Sequence, residues 1–150
     1  MDGIIFDVDG TLWDSVEVVA ESWNLAIKEN SDLEPNLNRE ILQGLFGKTM
    51  DEIAAGVFPD LDTDSRRKLM DICFDYENRY LETHPGVYYE GVMDTLKELA
   101  LEYPLFIVSN CQCGYIEVMM KGAGMEPYIK DFLCFGQTQT AVLTKGKKDQ

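Results

Sequence analysis

The feature that most constrains the fold is an apolar run at the start of the sequence that ends in two acids. Ile4, Ile5 and Phe6 form a short continuous apolar stretch, and Asp7 and Asp9 follow it. Such a run predicts a strand that is buried on both faces in a mostly parallel sheet. Ligands of open α/β sheets bind at the carboxyl ends of the strands. We therefore expect the two carboxylates to belong to a binding site.

The residues that follow the second acid fit the same site. Gly10 allows the backbone to turn sharply, and Thr11 adds a hydroxyl group. Two neighbouring carboxylates and a hydroxyl form a compact site for a metal ion and a phosphoryl group. An acidic β-turn is the alternative interpretation, because Asp and Gly are common turn residues.

After Asp14 the hydrophobic period changes from that of a strand to that of a helix. Apolar residues recur every three or four positions, with charged residues between them. We expect Ser15 to cap the first of these helices. A crossover between parallel strands needs only one helix, so several helices imply an insertion. The sequence predicts a helical domain at residues 15–86, inserted into a core domain of residues 1–14 and 87–150.

The rest of the chain alternates between strand and helix patterns. Residues 105–108 and 132–135 are apolar runs that predict two further strands. This alternation is typical of a doubly wound parallel α/β sheet. Ser109 and Asn110 directly follow the first of these runs. They can hold a phosphate oxygen at a strand end, begin a helix, or do both.

Composition narrows the range of partners. The formal net charge is −14, with 27 acids against 13 bases, which argues against nucleic acids and anionic membranes as partners. No apolar run approaches the length of a membrane span, and no signal-peptide pattern precedes the first strand. The cysteines are Cys73, Cys111, Cys113 and Cys134. We expect them to be free thiols without a functional role, in a reducing, cytoplasmic environment.

The run Asp7-Val8-Asp9-Gly10-Thr11-Leu12-x-Asp14-Ser15 resembles the first motif of the haloacid dehalogenase superfamily. It is especially similar to the form found in phosphoglycolate-phosphatase-like and β-phosphoglucomutase-like members. Ser109 resembles the second motif, although Cys111 stands where relatives often have glycine. Lys145, followed by Gly146, resembles the third motif. A solvated basic tail is the alternative for this lysine, because two more lysines follow.

The resemblance implies a helical cap inserted after the first motif and a Mg²⁺-dependent phosphatase acting on a small phosphorylated metabolite. It implies that Asp7 is the nucleophile and forms an aspartyl-phosphate, and that Asp9 is the general acid and base. Both aspartates would hold Mg²⁺. Lys48 of the cap would meet a second anionic group of the substrate, or is simply an exposed lysine. The implied phosphate-binding residues are Thr11, Ser109, Asn110 and Lys145.

Other functions remain open at this point. Mutases of the β-phosphoglucomutase type carry a histidine in the first cap helix, where this chain has Val19. A non-catalytic binding protein with the same fold is the third reading. The family's fourth motif, an acidic pair after the third-motif lysine, has no counterpart, since Asp149 stands alone. We therefore expect a C-terminally incomplete form with weakened Mg²⁺ binding and poor phosphatase activity. The sequence names neither the substrate nor the oligomeric state.

Overall fold

A computed structural model of the 150-residue chain describes residues 3–134. Within this range the strands are β1 (Ile4–Phe6), β2 (Trp13–Asp14), β3 (Val87–Tyr88), β4 (Leu105–Val108) and β5 (Asp131–Leu133). The helices are α1 (Val16–Asn30), α2 (Arg39–Gln43), α3 (Met50–Val57), α4 (Thr63–Thr83), α5 (Val92–Ala100) and α6 (Tyr115–Ala123). One 3₁₀ turn covers Glu126–Tyr128.

Three of the strands form a parallel sheet in the order β1–β4–β5. Ile5 lies opposite Phe106, and Ile107 lies opposite Phe132. The strands run in the same direction, so the carboxyl ends of β1 and β4 lie side by side at one edge. The predicted α/β architecture with a parallel sheet is confirmed, and β4 has the predicted bounds.

The prediction that β1 is buried on both faces is wrong. Ile4 and Phe6 are half-buried and pack against the cluster around the sheet, whereas Ile5 is 65% exposed. Alternate side chains of a strand point to opposite faces. Among the described residues, β1 has a partner strand on one side only, and the face that carries Ile5 is open to solvent.

Buried apolar side chains form two clusters. One lies among α1 to α4 and includes Trp23 and Phe74, whose rings meet edge to face at 5.9 Å. The other surrounds the sheet and includes Ile107 and Met119. Helix α1 packs along α4, and the predicted helical character of this part of the chain is confirmed. No helix in the described range is long and apolar enough to span a membrane.

The chain crosses between the two clusters at a short antiparallel pair formed by β2 and β3. Trp13 lies opposite Tyr88 across this pair. Gly86 packs so closely that an added Cβ atom would lie 2.8 Å from the Trp13 ring. The domain boundaries expected from the sequence, after residues 14 and 86, fall at this pair. The division into two domains stays a prediction.

Ser15 occupies the position before α1, but its side chain does not cap the helix. The backbone N–H of Val16 instead donates to Asp14 Oδ1 at 3.1 Å. The Ser15 hydroxyl lies 2.7 Å from the hydroxyl of Tyr115. The backbone at Ser15 is not extended, with φ −112° and ψ 4°, unlike the usual conformation of a capping residue. The predicted cap is therefore wrong.

The expectation of four free thiols is also wrong, because Cys113 and Cys134 form a disulfide. Cys113 lies in the loop after β4, and Cys134 directly follows β5. The carboxyl ends of these neighbouring parallel strands bring the two residues together, with their Cα atoms 5.4 Å apart. Cys73 and Cys111 are free. The argument for a reducing compartment from four free thiols does not hold.

Reducing the disulfide is expected to lower the free energy of unfolding by roughly 2–4 kcal/mol, because the bond restricts the unfolded chain. A thiol titration of the denatured protein should find two free thiols before reduction and four after it, from the pairing seen here. Urea unfolding with and without a dithiol reductant measures the change in stability. The Cys73→Ser variant is the control, since its stability should respond to the reductant as the wild type does. Four titratable thiols in the untreated protein would contradict the pairing.

Candidate functional site

A cavity of about 550 Å³ lies where the carboxyl ends of β1 and β4 meet the helical part of the chain. Its sheet side is lined by Asp7, Asp9, Ser109 and Asn110. Its other side is lined by residues of α1 to α4 and by Lys48 of the loop before α3. The cavity is thus at the edge of the sheet where ligands of open α/β folds bind.

The other predicted site residues are placed differently. Thr11 is exposed and does not line the cavity. Lys48 lines the cavity from the helical side. Asn110 Nδ2 donates at 3.4 Å to the carbonyl of Gly47, the residue before Lys48. This contact links the loop after β4 with the loop before α3. Lys145 lies outside the described residues.

A tight turn after β1 presents the two aspartates to the cavity. The Val8 N–H donates to Asp7 Oδ1 at 2.8 Å. The Val8 carbonyl accepts hydrogen bonds from the N–H groups of Thr11 and Leu12. Gly10 has a φ of 77°, in the left-handed region that glycine adopts without steric cost. The sequence therefore folds locally so that both acids reach one cavity.

Asp9 is held by a buried cluster of polar groups. The Tyr115 hydroxyl donates to Asp9 Oδ1, and the Ser15 hydroxyl lies 3.4 Å from the same oxygen. Burial raises the pKa of Asp9 to about 6, the hydrogen bond from Tyr115 opposes the rise, and the charge of Asp7 adds to it. A proton on Asp9 is therefore favoured over one on a solvent-exposed aspartate.

A second buried acid, Glu77 of α4, lines the same cavity and is only 3% exposed. Trp23 Nε1 donates to its Oε1 at 2.9 Å, and Gln112 Nε2 donates to its Oε2. Gln112 Nε2 also donates to Asn78 Oδ1 at 2.9 Å. Burial raises the pKa of Glu77 to about 8, although the hydrogen bond from Gln112 opposes the rise. This network joins α1, α4 and the loop after β4.

The cavity has few positive charges among its described lining residues. Arg39 forms ion pairs with Asp14 at 3.0 Å and with Glu17 at 3.2 Å. Its charge is thereby already matched by two carboxylates. Lys48 makes no ion pair with any described residue. Within the described range, Lys48 is therefore the cation in the cavity that is available to a ligand.

Sequence reasoning missed three polar residues of the cavity, namely Glu77, Gln112 and Tyr115. A signal existed for Glu77, which follows Leu69 and Cys73 at intervals of four on the buried face of α4. An acid at such a position is expected to have a polar partner. No comparable signal identifies Tyr115, because its partner Asp9 lies 106 residues away.

The chemistry of the cavity suits a magnesium ion. Magnesium is usually held by one or two carboxylates together with substrate phosphate and water. Asp7 and Asp9 both line the cavity and carry hard carboxylate oxygens. No group of three or more His, Cys, Asp or Glu side chains in the described range could hold a metal ion. Asp7 and Asp9 are the described residues that could hold such an ion, together with substrate phosphate and water.

Comparisons with known proteins agree with this picture. The family model for haloacid dehalogenase-like hydrolases matches residues 4–141. A predicted phosphoglycolate phosphatase from Haemophilus somnus is 21% identical with a TM-score of 0.79, covering 91% of this chain and 64% of its own. A haloacid dehalogenase-like hydrolase from Streptococcus pneumoniae is 19% identical, with a TM-score of 0.75. The match covers 98% of this chain and 70% of the Streptococcus chain. A hydrolase of this type from Bacillus subtilis, bound to magnesium, is 22% identical, with a TM-score of 0.57. The match covers 89% of this chain and 64% of the Bacillus chain.

At these low identities, the TM-scores show a shared fold and nothing further. The chain spans 64% of the Haemophilus and Bacillus structures and 70% of the Streptococcus structure. No curated protein matches the sequence significantly.

Proposed function

The chain belongs to the haloacid dehalogenase-like hydrolases, and from this premise we propose that it is a Mg²⁺-dependent phosphomonoester hydrolase acting on a small phosphorylated metabolite. One observation carries the proposal. Asp7, Asp9 and Ser109 line one cavity at the ends of two neighbouring parallel strands. This arrangement supports the proposed roles of a nucleophile, a proton carrier and a hydroxyl that binds a phosphoryl oxygen.

Asp7 is the proposed nucleophile. One of its carboxylate oxygens forms a bond to phosphorus while the bond from phosphorus to the leaving oxygen breaks, which gives an aspartyl-phosphate. Such a transfer needs the attacking and leaving oxygens roughly in line. The hydrogen bond from the Val8 N–H to Asp7 Oδ1 fixes the side chain, which supports this role.

Asp9 is the proposed general acid and base. Its proton passes to the leaving alkoxide in the first step, so that an alcohol departs. In the second step, the Asp9 carboxylate takes a proton from the water that attacks the aspartyl-phosphate, and inorganic phosphate leaves. The raised pKa of about 6 keeps both protonation states accessible near neutral pH.

Charge on the phosphoryl oxygens requires compensation. Ser109 and Asn110 line the cavity and are the proposed donors of hydrogen bonds to these oxygens, and Lys145 is the proposed cation although it lies outside the described residues. Mg²⁺, held by the Asp7 carboxylate and the backbone carbonyl of Asp9, would supply further positive charge when bound.

Residues 15–86 are the proposed cap over this site. The cap side of the cavity carries Lys48, which we assign to a second anionic group of the substrate. The hydrogen bond between Asn110 and the Gly47 carbonyl supports an approach of the cap loop to the phosphate site. Closure of such a cap would exclude water from the reaction.

The test is phosphate release from p-nitrophenyl phosphate and a panel of phosphorylated metabolites, phosphoglycolate among them. We expect release in the presence of Mg²⁺ and a loss of roughly 100-fold or more when EDTA removes it. Readdition of Mg²⁺ should restore the rate, whereas Ca²⁺ serves as a control for ionic strength. Absence of Mg²⁺-dependent release from every compound would overturn the proposed function.

A further inference from the structure

We propose that Tyr115 is a positioning residue for the reaction, whose hydroxyl holds the Asp9 carboxyl in the orientation needed for proton transfer. The proposal rests on the proposed function and extends it to a residue outside the acidic motif at the start of the chain. It depends on four side chains that meet in the space between β1, β2 and the beginning of α6.

Tyr115 is the first residue of α6, and its side chain is only 2% exposed. Its hydroxyl has three neighbours: Asp9 Oδ1, the Ser15 hydroxyl at 2.7 Å, and Trp13 Nε1 at 3.1 Å. Trp13 and Ser15 are also buried. The phenol oxygen therefore has protein partners on every side.

The donor chemistry fixes the direction of the hydrogen bond to Asp9. The indole N–H of Trp13 can only donate, so the phenol oxygen accepts at that contact. A phenol has one O–H group to donate, and an ionised carboxylate can only accept. The Tyr115 proton therefore points to Asp9 Oδ1. Ser15 Oγ, at 3.4 Å from the same oxygen, completes the cluster.

In this arrangement the two oxygens of Asp9 have different roles. The hydrogen bond from Tyr115 goes to Oδ1, the Ser15 hydroxyl donates to the Tyr115 oxygen, and Asp9 also lines the cavity. We assign Oδ2 to proton exchange with the leaving oxygen and with the attacking water. Loss of the Tyr115 hydroxyl would let the carboxyl rotate and would misplace Oδ2, while Asp7 and the phosphate site stay as they are.

The effect of losing the Tyr115 hydroxyl on the reaction rate should therefore depend on the leaving group. p-Nitrophenolate departs readily as an anion, whereas the alkoxide of benzyl phosphate needs a proton as it leaves. The two probes have similar shapes, so the same cavity can bind both. The ratio kcat/KM covers the steps up to departure of the leaving group and excludes hydrolysis of the aspartyl-phosphate. It therefore isolates the step in which Asp9 acts as an acid.

In the Tyr115→Phe variant of the full chain with Mg²⁺, we expect kcat/KM for benzyl phosphate to fall by roughly 10- to 100-fold. For p-nitrophenyl phosphate it should fall by less than about 3-fold, since little general-acid catalysis is needed. Asp9→Asn should give the same pattern, and adding Tyr115→Phe to it should cause no further loss. An equal fall for both probes, or an additive loss in the double variant, would overturn the proposal.

Tyr88→Phe is the matched control. The Tyr88 ring also packs against Trp13, at 5.4 Å between centroids, but its hydroxyl donates to the Met119 carbonyl at 2.6 Å. Tyr88→Phe should leave the ratio of the kcat/KM values for the two probes unchanged. If Tyr115→Phe does not fold, Ser15→Ala removes the hydroxyl that donates to the Tyr115 oxygen at 2.7 Å and should shift the ratio in the same direction. An unchanged ratio in that variant counts against the proposal.

The failure of the proposed function gives a different result. A wild-type chain that releases no phosphate from either probe overturns that function and the positioning role with it. Activity in the wild type with an unchanged ratio in Tyr115→Phe overturns the positioning role alone.

Discussion

Asp7→Asn is expected to lower phosphate release by roughly 10³-fold or more, because an amide is a very weak nucleophile and no aspartyl-phosphate can form. The substitution keeps the shape of the side chain, and the amide oxygen can still accept the Val8 N–H hydrogen bond. The fold is therefore expected to persist. The measurement is the rate of phosphate release from p-nitrophenyl phosphate with Mg²⁺.

A direct observation of the intermediate strengthens this test. Acid quenching during turnover, followed by peptide mass spectrometry, should locate a phosphoryl group on residue 7 of the wild type and none in Asp7→Asn. Asp94→Asn, the same change at an exposed position of α5, is the control and should retain full activity. A phosphorylated residue other than Asp7 would refute the assigned nucleophile.

Glu77 is expected to make the stability of the protein depend strongly on pH. Its pKa rises from 4.5 to about 8 on folding, so the folded state keeps a proton that the unfolded state has lost between these values. The contribution of Glu77 to stability is therefore complete below pH 4.5 and is lost as the pH rises through about 8. Since each pKa unit corresponds to about 1.4 kcal/mol, the loss is on the order of 5 kcal/mol.

Glu77→Gln removes the charge and keeps an oxygen that can accept from Trp23. We expect this variant to be more stable than the wild type by several kcal/mol above pH 8 and similar to it at pH 4. Urea unfolding across the pH range provides the measurement. Glu82→Gln, an exposed position on the same helix, should reproduce the wild-type profile. If the stability of Glu77→Gln changed with pH in the same way as that of the wild type, Glu77 would be ionised in the folded protein and the prediction would be wrong.

The sheet and the acidic end of the cavity could be predicted because both follow from local patterns. An apolar run defines β1, another defines β4, and parallel strands place their carboxyl ends together. The approach of Asp7, Asp9 and Ser109 to one cavity is a direct consequence. The family resemblance seen in the first motif is confirmed by the match to residues 4–141.

The remaining features depend on side-chain packing between distant segments. The pair β2–β3 has only two residues on each strand, too few for a periodic pattern. Neither the hydrogen bond of Tyr115 to Asp9 nor the bond between Cys113 and Cys134 leaves a trace in local spacing. The exposure of Ile5 likewise depends on what covers β1, about which an apolar run carries no information.

The pairing of β2 with β3 has a mechanical consequence. Both passages of the chain between the sheet and the helices run through one two-stranded ribbon, with Asp14 opposite Val87. The two passages cannot swing independently while their hydrogen bonds hold. We expect any rotation of α1–α4 relative to the sheet to move both strands of this ribbon together. Trp13 of this ribbon contacts the rings of both Tyr88 and Tyr115, so the ribbon packs directly against the residue that donates to Asp9.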